Sequence, residues 1–381
     1  MPSYSSKIVC LFTGIVQLPG GIASNNRNLL LALQYLAEQK NQDLVVLSYL
    51  EDNDARPEFL SNNYSFKGYK GNRNAFIFDM LCYVRKQVVF IIDHVTLGLP
   101  LLPFIKIGLV KSVILAHGSE ALDRIKQTSK WIFQYASLTL TNSTFTFNRM
   151  KKRGRKFNGF PCPLGLSPQF KTNKVIPPPL PQATLLTDTE GNKKVFGNQV
   201  LLIVGRMVAS EREKGHIELI NLLPKVVKRY PSVQLVCAGP GDDIPYLKEL
   251  AIQNQVGHIV FFPGFITKEL LGQLYHQCYA FVMPSQQEGF GLVYLEAMNY
   301  GKPCIGCYND GAADIILPNK TGLLIQNQQD EQELLENIFF LLDNKKRAVT
   351  MGKAGFKHMH EQFTSTHAQD RYKKIISTIL E

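Results

Sequence analysis

Two glutamates, Glu288 and Glu296, bracket a glycine-containing segment with the sequence EGFGLVYLE. The segment follows a predicted strand and runs into a helical pattern, so Gly289 and Gly291 lie where a strand gives way to a helix. Glycines let the backbone approach a ligand closely, and the free N–H groups at the start of a helix attract phosphate. Surface helices are rich in glutamate, so the spacing of the two carboxylates alone indicates little, but the whole segment predicts a phosphate-binding turn.

Two cations also lie between a predicted strand and a helical pattern, earlier in the second half of the chain. Arg206 follows an apolar run that ends at Val204, and Lys214 precedes the next helical pattern. Positive groups aimed at a developing negative charge can stabilise a leaving diphosphate by electrostatics alone. The pair therefore predicts a diphosphate site, and the alternative is that both are ordinary surface cations.

The segment EGFGLVYLEAM at residues 288–298 resembles the E-x7-E region of retaining glycosyltransferases of family 4, which have the GT-B fold. The resemblance implies that Glu288 is catalytic, holding donor-sugar hydroxyls and stabilising positive charge at the anomeric carbon. It implies that Glu296 binds the ribose hydroxyls of the donor, and that Arg206 and Lys214 contact its diphosphate and act in catalysis. Residues 209–213 make the loop between these two cations longer than in the family's common form.

Further donor contacts in the second half follow from the same resemblance. Gly239, in the sequence GPGD, resembles the family's glycine turn at a strand end. No third glycine completes a dinucleotide-binding GxGxxG, and Pro245 falls where its helix should run, which disfavours a dinucleotide oxidoreductase. Phe265 lies where similar proteins hold the nucleotide base, although an apolar strand end would have the same pattern. The other predicted donor-binding residues are Gly205, Gly289, Phe290, Gly291 and Leu292.

The first half carries two features that resemble the family. Gly20 and Gly21, between an apolar run and a helical pattern, resemble a glycine loop that approaches the donor phosphates and the acceptor, and a plain turn is the alternative. His117, in the sequence AHGSE, matches a family histidine that faces the donor sugar. A structural histidine at a strand end is the alternative there. We predict Gly20 and Gly21 as donor-binding residues and His117 as catalytic.

Short apolar runs alternate with helical patterns through most of the chain, which indicates parallel sheets covered on both faces. The proline-rich stretch at residues 176–182 cannot join a regular sheet and predicts a domain boundary. We therefore predict an α/β chain with the GT-B fold, in which two Rossmann-like parallel-sheet domains face each other across a cleft. The predicted parts are an N-terminal acceptor-side domain at 1–176, a C-terminal nucleotide-sugar-binding domain at 183–360, and a C-terminal helix at 361–381 that packs back onto the first domain.

Positive charge is concentrated in the first half. The chain has a net charge of +11, and residues 1–175 hold 22 Lys and Arg against 10 Asp and Glu. The densest basic run, at residues 151–156, predicts either contact with an anionic membrane surface or a solvated loop. Nucleic acid is not expected as a partner, because no recognition module or RNP-type aromatic motif is present.

Metal and cofactor motifs are weak. Asp52-Asn53-Asp54 has the DxD form of a different glycosyltransferase fold but lies in an acidic loop without the matching sheet context. Cys304 and Cys307 form a CxxC with no second ligand pair at zinc spacing. We therefore expect no cofactor and no required metal, since two cations and a helix start already supply positive charge.

Together, the residues and the resemblance predict a retaining, metal-independent hexosyltransferase that moves a sugar from a UDP- or GDP-linked donor to an acceptor hydroxyl. A saccharide or lipid-linked acceptor, in cell-surface polysaccharide or glycolipid assembly, fits the basic first half. The alternatives are a non-catalytic sugar-nucleotide-binding protein, or a phosphorylase or epimerase on the same fold. Scattered cysteines and the lack of a basic and apolar leader predict a cytoplasmic location, and the basic first half predicts a peripheral position on the inner membrane face.

Overall fold

The computed structural model describes residues 7–18, 20–118, 125–178, 185–197 and 199–381. The chain divides into two compact units. Unit 1 comprises Met1–Lys171 and Gln362–Glu381, and unit 2 comprises Thr172–Glu361. The predicted boundary at residues 176–182 lies just after the end of the first stretch of unit 1, and residues 179–182 of it lie outside the described residues.

The described part of unit 1 contains a parallel sheet whose strands run from one edge to the other in the order β3-β2-β1-β4-β5-β6-β7. Runs of aliphatic residues form its central strands, as expected for a sheet covered on both faces. The strands are β1 (Lys7–Phe12), β2 (Asp43–Ser48), β3 (Ser65–Gly68), β4 (Val88–Ile92), β5 (Lys111–Ala116), β6 (Leu138–Thr141) and β7 (Gly159–Pro161).

Helices cover both faces of this sheet. One core cluster includes Leu29 and Leu33 of the first helix, and a second, on the other face, includes Phe76 and Ile132 of later helices. The helices are α1 (Gly21–Gln39), α2 (Arg73–Cys82), α3 (Leu102–Lys106), α4 (Gln127–Tyr135) and α5 (Thr144–Lys152).

Unit 2 contains a second parallel sheet with the order β12-β11-β10-β13-β14-β15, preceded by an antiparallel hairpin of β8 and β9. The apolar runs that predict the strands of the parallel sheet match the observed elements within one or two residues, whereas the two hairpin strands were not predicted. The strands are β8 (Leu185–Thr187), β9 (Lys193–Val195), β10 (Val200–Val204), β11 (Gln234–Ala238), β12 (Val260–Gly264), β13 (Ala280–Val282), β14 (Cys304–Cys307) and β15 (Gly322–Ile325).

The helices of unit 2 connect these strands and continue to the end of the unit. They are α6 (His216–Arg229), α7 (Ile244–Gln253), α8 (Lys268–Gln277), α9 (Leu292–Met298), α10 (Glu331–Asp343) and α11 (Lys345–Gln362). Pro245 lies in the first turn of α7, so the expectation that it would prevent a helix there is wrong. A proline is tolerated in a first turn because its missing N–H would have no helical partner.

A last helix, α12 (Ser365–Ile376), belongs to unit 1 rather than to the unit that precedes it in sequence. The buried side chains of Tyr372 and Ile376 lie in the same core cluster as Leu29 of α1. The Tyr372 hydroxyl donates a hydrogen bond of 2.6 Å to the Asn25 side chain. The C-terminal segment therefore completes one side of the first sheet.

No helix in the described ranges combines the length and the apolar character needed to cross a lipid bilayer.

Candidate functional site

The carboxyl-end loops of the unit 2 sheet bring together several predicted site residues. Lys214 Nζ lies 3.0 Å from Glu288 Oε2, although 74 residues separate the two in sequence. Lys214 lies just before α6, and Glu288 lies in the loop between β13 and α9. Both side chains are largely buried, with 20% and 26% of their surface exposed. The structure thus pairs one predicted diphosphate ligand with the predicted catalytic carboxylate.

Arg206 lies at the end of β10 with its side chain largely exposed, and its Nη2 donates a hydrogen bond of 2.7 Å to Glu211 Oε1. Glu211 belongs to residues 209–213, the stretch that lengthens this loop. That stretch forms a 3-10 turn at Ala209–Lys214. We call Arg206, Glu211, Lys214 and Glu288 the charged cluster.

The charged cluster is electrostatically coupled. Burial alone would lower the pKa of Lys214, but the nearby carboxylates, Glu288 foremost, hold this pKa above its ordinary value. Glu211 also raises the pKa of Lys214, whereas the positive charge of Arg206 lowers it. Lys214 is therefore a fully charged lysine within reach of a second cation and two carboxylates.

A bidentate ion pair anchors the 3-10 turn to the rest of unit 2. Arg212 Nε and Nη2 donate hydrogen bonds of 2.9 and 2.6 Å to the buried Asp243 carboxylate at the start of α7. The Arg212 guanidinium also lies 4.0 Å from the centre of the Tyr246 ring. This contact fixes the position of Glu211, the neighbour of Arg212 in sequence.

A buried carboxylate not anticipated from the sequence supports the loop that carries Glu288. Asp310 is fully buried, and its Oδ2 accepts a hydrogen bond of 3.3 Å from the Glu288 N–H. The Gly311 N–H donates back to the Glu288 carbonyl at 2.9 Å. Burial, reinforced by the nearby Glu288 carboxylate, raises the pKa of Asp310 well above its ordinary value.

Glu296 contacts a different part of unit 2. It lies on α9, and its Oε2 accepts a hydrogen bond of 2.8 Å from the Tyr275 hydroxyl of α8. Burial raises the pKa of Glu296 to about 7, although the Tyr275 hydrogen bond opposes the shift. Glu296 is therefore about half ionised at neutral pH, and the structure does not join it to the charged cluster by a direct contact.

Two glycines allow close packing in these loops. A Cβ at Gly205 would lie 3.1 Å from Lys214 Cδ, so a larger residue there would push the lysine side chain away. Gly291 has a φ of +93°, a conformation that favours glycine, and a Cβ there would lie 2.5 Å from Tyr294. Both predicted donor-binding glycines therefore have a structural requirement of their own.

The other predicted donor contacts of unit 2 differ in exposure. Phe265 follows β12 and is 72% exposed, so its ring is available to a ligand. Phe290 is fully buried in this conformation. Gly289 is buried as well, and Leu292, the first residue of α9, is half-buried. Gly239 follows β11, and its N–H donates to the Gly264 carbonyl at 3.0 Å.

Unit 1 has its own group of polar residues at the carboxyl ends of its strands. Asp93, fully buried after β4, accepts hydrogen bonds at Oδ2 from the Thr13 N–H, the Thr13 hydroxyl and Asn26 Nδ2, at 2.7, 2.6 and 2.7 Å. Burial raises the pKa of Asp93, and these hydrogen bonds oppose the shift. We call Thr13, Asn26, Asp93 and His117 the polar centre.

His117 joins the polar centre through its ring. Its Nε2 lies 2.7 Å from the Asp93 carbonyl oxygen, and because that oxygen can only accept, Nε2 carries a proton. The Asn142 side chain donates to the His117 carbonyl at 2.9 Å. Two residues further on, Ser119 and Glu120 of the predicted motif lie outside the described residues.

Gly20 and Gly21 lie at the start of α1, with Gly20 as its N-terminal cap residue. The loop before them, residues 13–18, is held by a residue that sequence reasoning missed. Glu51 Oε1 accepts hydrogen bonds from the N–H groups of Ile15, Val16 and Gln17 at 2.8, 2.5 and 2.7 Å. Glu51 is fully buried, and its Oε2 accepts a hydrogen bond from Ser48. The sequence signal was limited to an acidic residue three positions after the end of β2.

The described residues contain no group of three or more potential metal ligands of the His, Cys, Asp or Glu type. Within the DxD-like segment, Asp52 caps the short turn that begins at Asn53 and pairs with Lys70 at 2.5 Å. Its contacts are those of a structural residue.

Comparison with known proteins relates unit 2 to sugar-transferring enzymes. Residues 187–358 match the family model described as glycosyl transferases group 1. An uncharacterised glycosyltransferase of Methanocaldococcus jannaschii is 37% identical over 127 residues, which are 33% of this chain and 32% of that protein. A GDP-mannose-dependent alpha-(1-6)-phosphatidylinositol monomannoside mannosyltransferase of Mycobacterium tuberculosis is 30% identical over 200 residues, 50% of this chain and 49% of that protein. The chain thus matches between a third and a half of the length of these relatives.

Solved structures resemble the whole chain. The Anabaena protein HepE, in complex with UDP and glucose, has a TM-score of 0.72 and 17% identity and covers 98% of this chain and 100% of its own. Sucrose-phosphate synthase from Thermosynechococcus elongatus has a TM-score of 0.73 and 19% identity, covering 98% and 99%. At this identity the likeness establishes the fold. The predicted fold class, GT-B with two Rossmann-like parallel-sheet domains, is confirmed.

Proposed function

We propose that the protein transfers a sugar from a nucleotide-sugar to an acceptor hydroxyl. The charged cluster carries this proposal, because it pairs Lys214 with Glu288 and leaves Arg206 within electrostatic reach. Two cations beside a carboxylate suit a ligand that joins a diphosphate to a polyol. The family match over residues 187–358 supports the same function.

We propose specific roles for the predicted residues. Arg206 and Lys214 would stabilise the leaving diphosphate, so that no metal ion is required. Glu288 would hold sugar hydroxyls and stabilise positive charge at the anomeric carbon. Glu296 would accept hydrogen bonds from the ribose hydroxyls. The leaving phosphate would take the acceptor proton on the face it departs from, which retains the anomeric configuration as in family 4.

We propose the chemical class of the sugar donor and of the acceptor. One relative is named for GDP-mannose, and one structural neighbour was solved with UDP and glucose, which supports a UDP- or GDP-linked hexose as donor. The acceptor would be a saccharide or a lipid-linked saccharide. Gly20, Gly21 and His117 of unit 1 remain predicted contacts to the reacting groups, and the His117 Nε2–H is directed at the Asp93 carbonyl oxygen.

Release of nucleoside diphosphate from UDP-glucose and GDP-mannose tests the proposal, measured with and without a panel of saccharide acceptors. Arg206→Ala should lower the transfer rate at least about 100-fold, the usual effect of removing a group that stabilises transition-state charge. Arg229→Ala is the matched control, because Arg229 is also an exposed arginine of unit 2 paired with a carboxylate, Asp343. It should transfer sugar at the wild-type rate.

Two results would overturn the proposed function. One is the absence of diphosphate release above background for wild-type protein with every donor and acceptor tested. The other is an Arg206→Ala variant that transfers sugar as fast as Arg229→Ala, which would remove the role given to Arg206.

A further inference from the structure

The net positive charge of the chain lies in one segment of unit 1. Residues 70–160 hold 15 Lys and Arg against 4 Asp and Glu, a net charge of +11 that equals the net charge of the whole chain. Helices α2, α3, α4 and α5 all belong to this segment. The surface that these helices present is therefore where an anionic partner would be attracted.

These helices cover the same face of the unit 1 sheet. Their inward side chains share one core cluster, to which α2 contributes Met80, α3 contributes Ile105, α4 contributes Phe133 and α5 contributes Met150. Because their inward sides meet in one core, their outward sides form one continuous side of unit 1. We call this side the basic helical face.

Large apolar side chains project from the basic helical face. Phe78 of α2 is 69% exposed, Ile107 directly after α3 is 74% exposed, and Trp131 of α4 is 43% exposed. Leu81, one turn after Phe78, is exposed as well. Exposed aromatic and aliphatic side chains among cations are typical of surfaces that enter the interface of a lipid bilayer.

Among the residues that the structure describes, this face carries little exposed negative charge. Of the acidic residues between 70 and 160 that the structure describes, Asp93 is fully buried and Asp79 pairs with Lys67 and Tyr69. The exposed cations lie on or beside the helices: Arg73, Lys86, Lys106, Lys126, Lys151, Lys152 and Lys156. The charge of this face is therefore complementary to an anionic surface.

We propose that the basic helical face binds the surface of an anionic lipid bilayer, with Phe78, Ile107 and Trp131 inserted among the headgroups and the surrounding lysines against lipid phosphates. A bilayer would remove the exposed apolar side chains of Ile107 and Leu81 from water, whereas the phosphates of a nucleic acid would not. This surface includes the predicted basic run at 151–156 and is larger than it, because it covers one whole side of unit 1. The proposal does not depend on the proposed sugar transfer. Each basic residue should contribute about fivefold to partitioning at low salt.

The fluorescence of Trp131 provides a test confined to this face, because it is the sole tryptophan of the chain. Full-length protein would be titrated with vesicles of phosphatidylglycerol and phosphatidylcholine, and with vesicles of phosphatidylcholine alone. We expect blue-shifted emission, quenched by lipids brominated in the upper acyl chain, with the anionic vesicles only. The affinity should fall as salt rises, since exposed charges are screened.

Matched variants separate the contribution of positive charge to vesicle binding from that of apolar insertion. Lys151→Glu/Lys152→Glu should weaken binding to anionic vesicles at least tenfold, and Phe78→Ser/Ile107→Ser should weaken it about tenfold or more. The controls lie in unit 2, where Lys345→Glu/Lys346→Glu changes an exposed lysine pair and Ile252→Ser an exposed isoleucine. Both controls should bind as wild type does. All variants should stay folded, because the altered side chains are exposed, and loss of the Lys151 contact with Phe157 should lower the melting temperature by only about a few degrees.

Three outcomes would overturn the proposal. The first is no vesicle binding by wild-type protein at low ionic strength. The second is evidence that the contact lies elsewhere. This would be cosedimentation with vesicles while Trp131 emission stays unchanged, or equal loss of binding in the unit 2 controls. The third is a vesicle-free dimer that Phe78→Ser/Ile107→Ser dissociates, which would make this face a protein interface.

Discussion

Glu296 has a pKa of about 7, which makes its role open to a pH test. A carboxylate that receives two ribose hydroxyls must be ionised, because only the ionised form accepts at both oxygens. Affinity for a nucleotide-sugar should therefore be nearly full at about pH 8 and lost as pH falls through 7, by roughly tenfold between pH 8 and pH 6. The diphosphate of a nucleotide-sugar does not titrate in this range, so calorimetric titrations with UDP-glucose and GDP-mannose isolate the protein group.

The Glu296→Gln variant controls this prediction, since an amide cannot ionise. It should bind more weakly than wild type at pH 8 and show a flat pH profile. A wild-type affinity that stays constant between pH 6 and pH 8, or a Gln variant that keeps the wild-type slope, would remove the ribose-binding role.

Glu211 is the present partner of Arg206, and an incoming diphosphate would compete with it. Glu211→Gln should therefore strengthen nucleoside diphosphate binding by about two- to fivefold, the scale of an exposed ion pair. Glu331→Gln, which removes the carboxylate from the exposed pair with Lys225, is the control and should leave affinity unchanged. Equal or weaker binding by Glu211→Gln would show that Arg206 does not receive the diphosphate, or that Glu211 assists binding.

At the scale of elements, the loop between β1 and α1 depends on a single carboxylate. Glu51 Oε1 accepts three successive backbone N–H groups, all of which Glu51→Ala would leave without this acceptor. We expect a destabilisation of about 2 to 4 kcal/mol, because three backbone N–H groups would lose their shared side-chain acceptor. Hydrogen exchange should report faster exchange of the amides of residues 15–17, with a smaller effect in Glu51→Gln, which keeps one acceptor oxygen.

Asp52→Asn, at the next position, is the control, because Asp52 contacts only its own turn and Lys70. Its exchange at residues 15–17 should match wild type. If Glu51→Ala exchanged there at the wild-type rate, the loop would be held by other contacts.

Sequence reasoning found the buried strands and missed what holds the loops. The aliphatic run VLLIV of β10 coincides with the predicted strand, because a short, continuous, β-branched run followed by glycine is typical of a strand buried on both faces. The short strand β3, with the sequence SFKG and an alternating exposure, was not predicted. Glu51 was missed because its three acceptor contacts depend on the fold and follow no spacing rule.

In the candidate site too, the sequence identified the residues that carry motifs and missed those that support them. Lys214 and Glu288 were chosen by motif, and the structure adds that they touch. Asp310, which supports the Glu288 loop from beneath, carried no motif and is recognisable only from its burial. Phe290 was predicted as a donor-binding residue, and the structure adds that its ring is buried, which residue type alone does not reveal.

At the scale of the whole molecule, the chain returns to unit 1 after completing unit 2. Ile376 of α12 is fully buried in the core cluster that includes α1. Ile376→Ala should destabilise unit 1 by about 2 to 5 kcal/mol and leave unit 2 unchanged. Hydrogen exchange measured along the chain should then be faster in α1 and unaltered in β10 and β11.

Ile338→Ala is the matched control, since Ile338 is equally buried in α10 of unit 2. It should accelerate exchange in unit 2 and leave α1 unchanged. If Ile376→Ala left α1 protected, packing of α12 would not support the first unit.

The central claim is that the charged cluster of unit 2 binds a sugar diphosphate with cations of the protein alone. Titration calorimetry with UDP-glucose and GDP-mannose in the presence of a metal chelator measures this most directly. We predict binding of one of the two by wild type, at least tenfold weaker binding by Lys214→Ala from loss of a charge-assisted contact, and unchanged binding by Lys225→Ala. Binding that the chelator abolishes, or that Lys214→Ala leaves intact, would contradict the account.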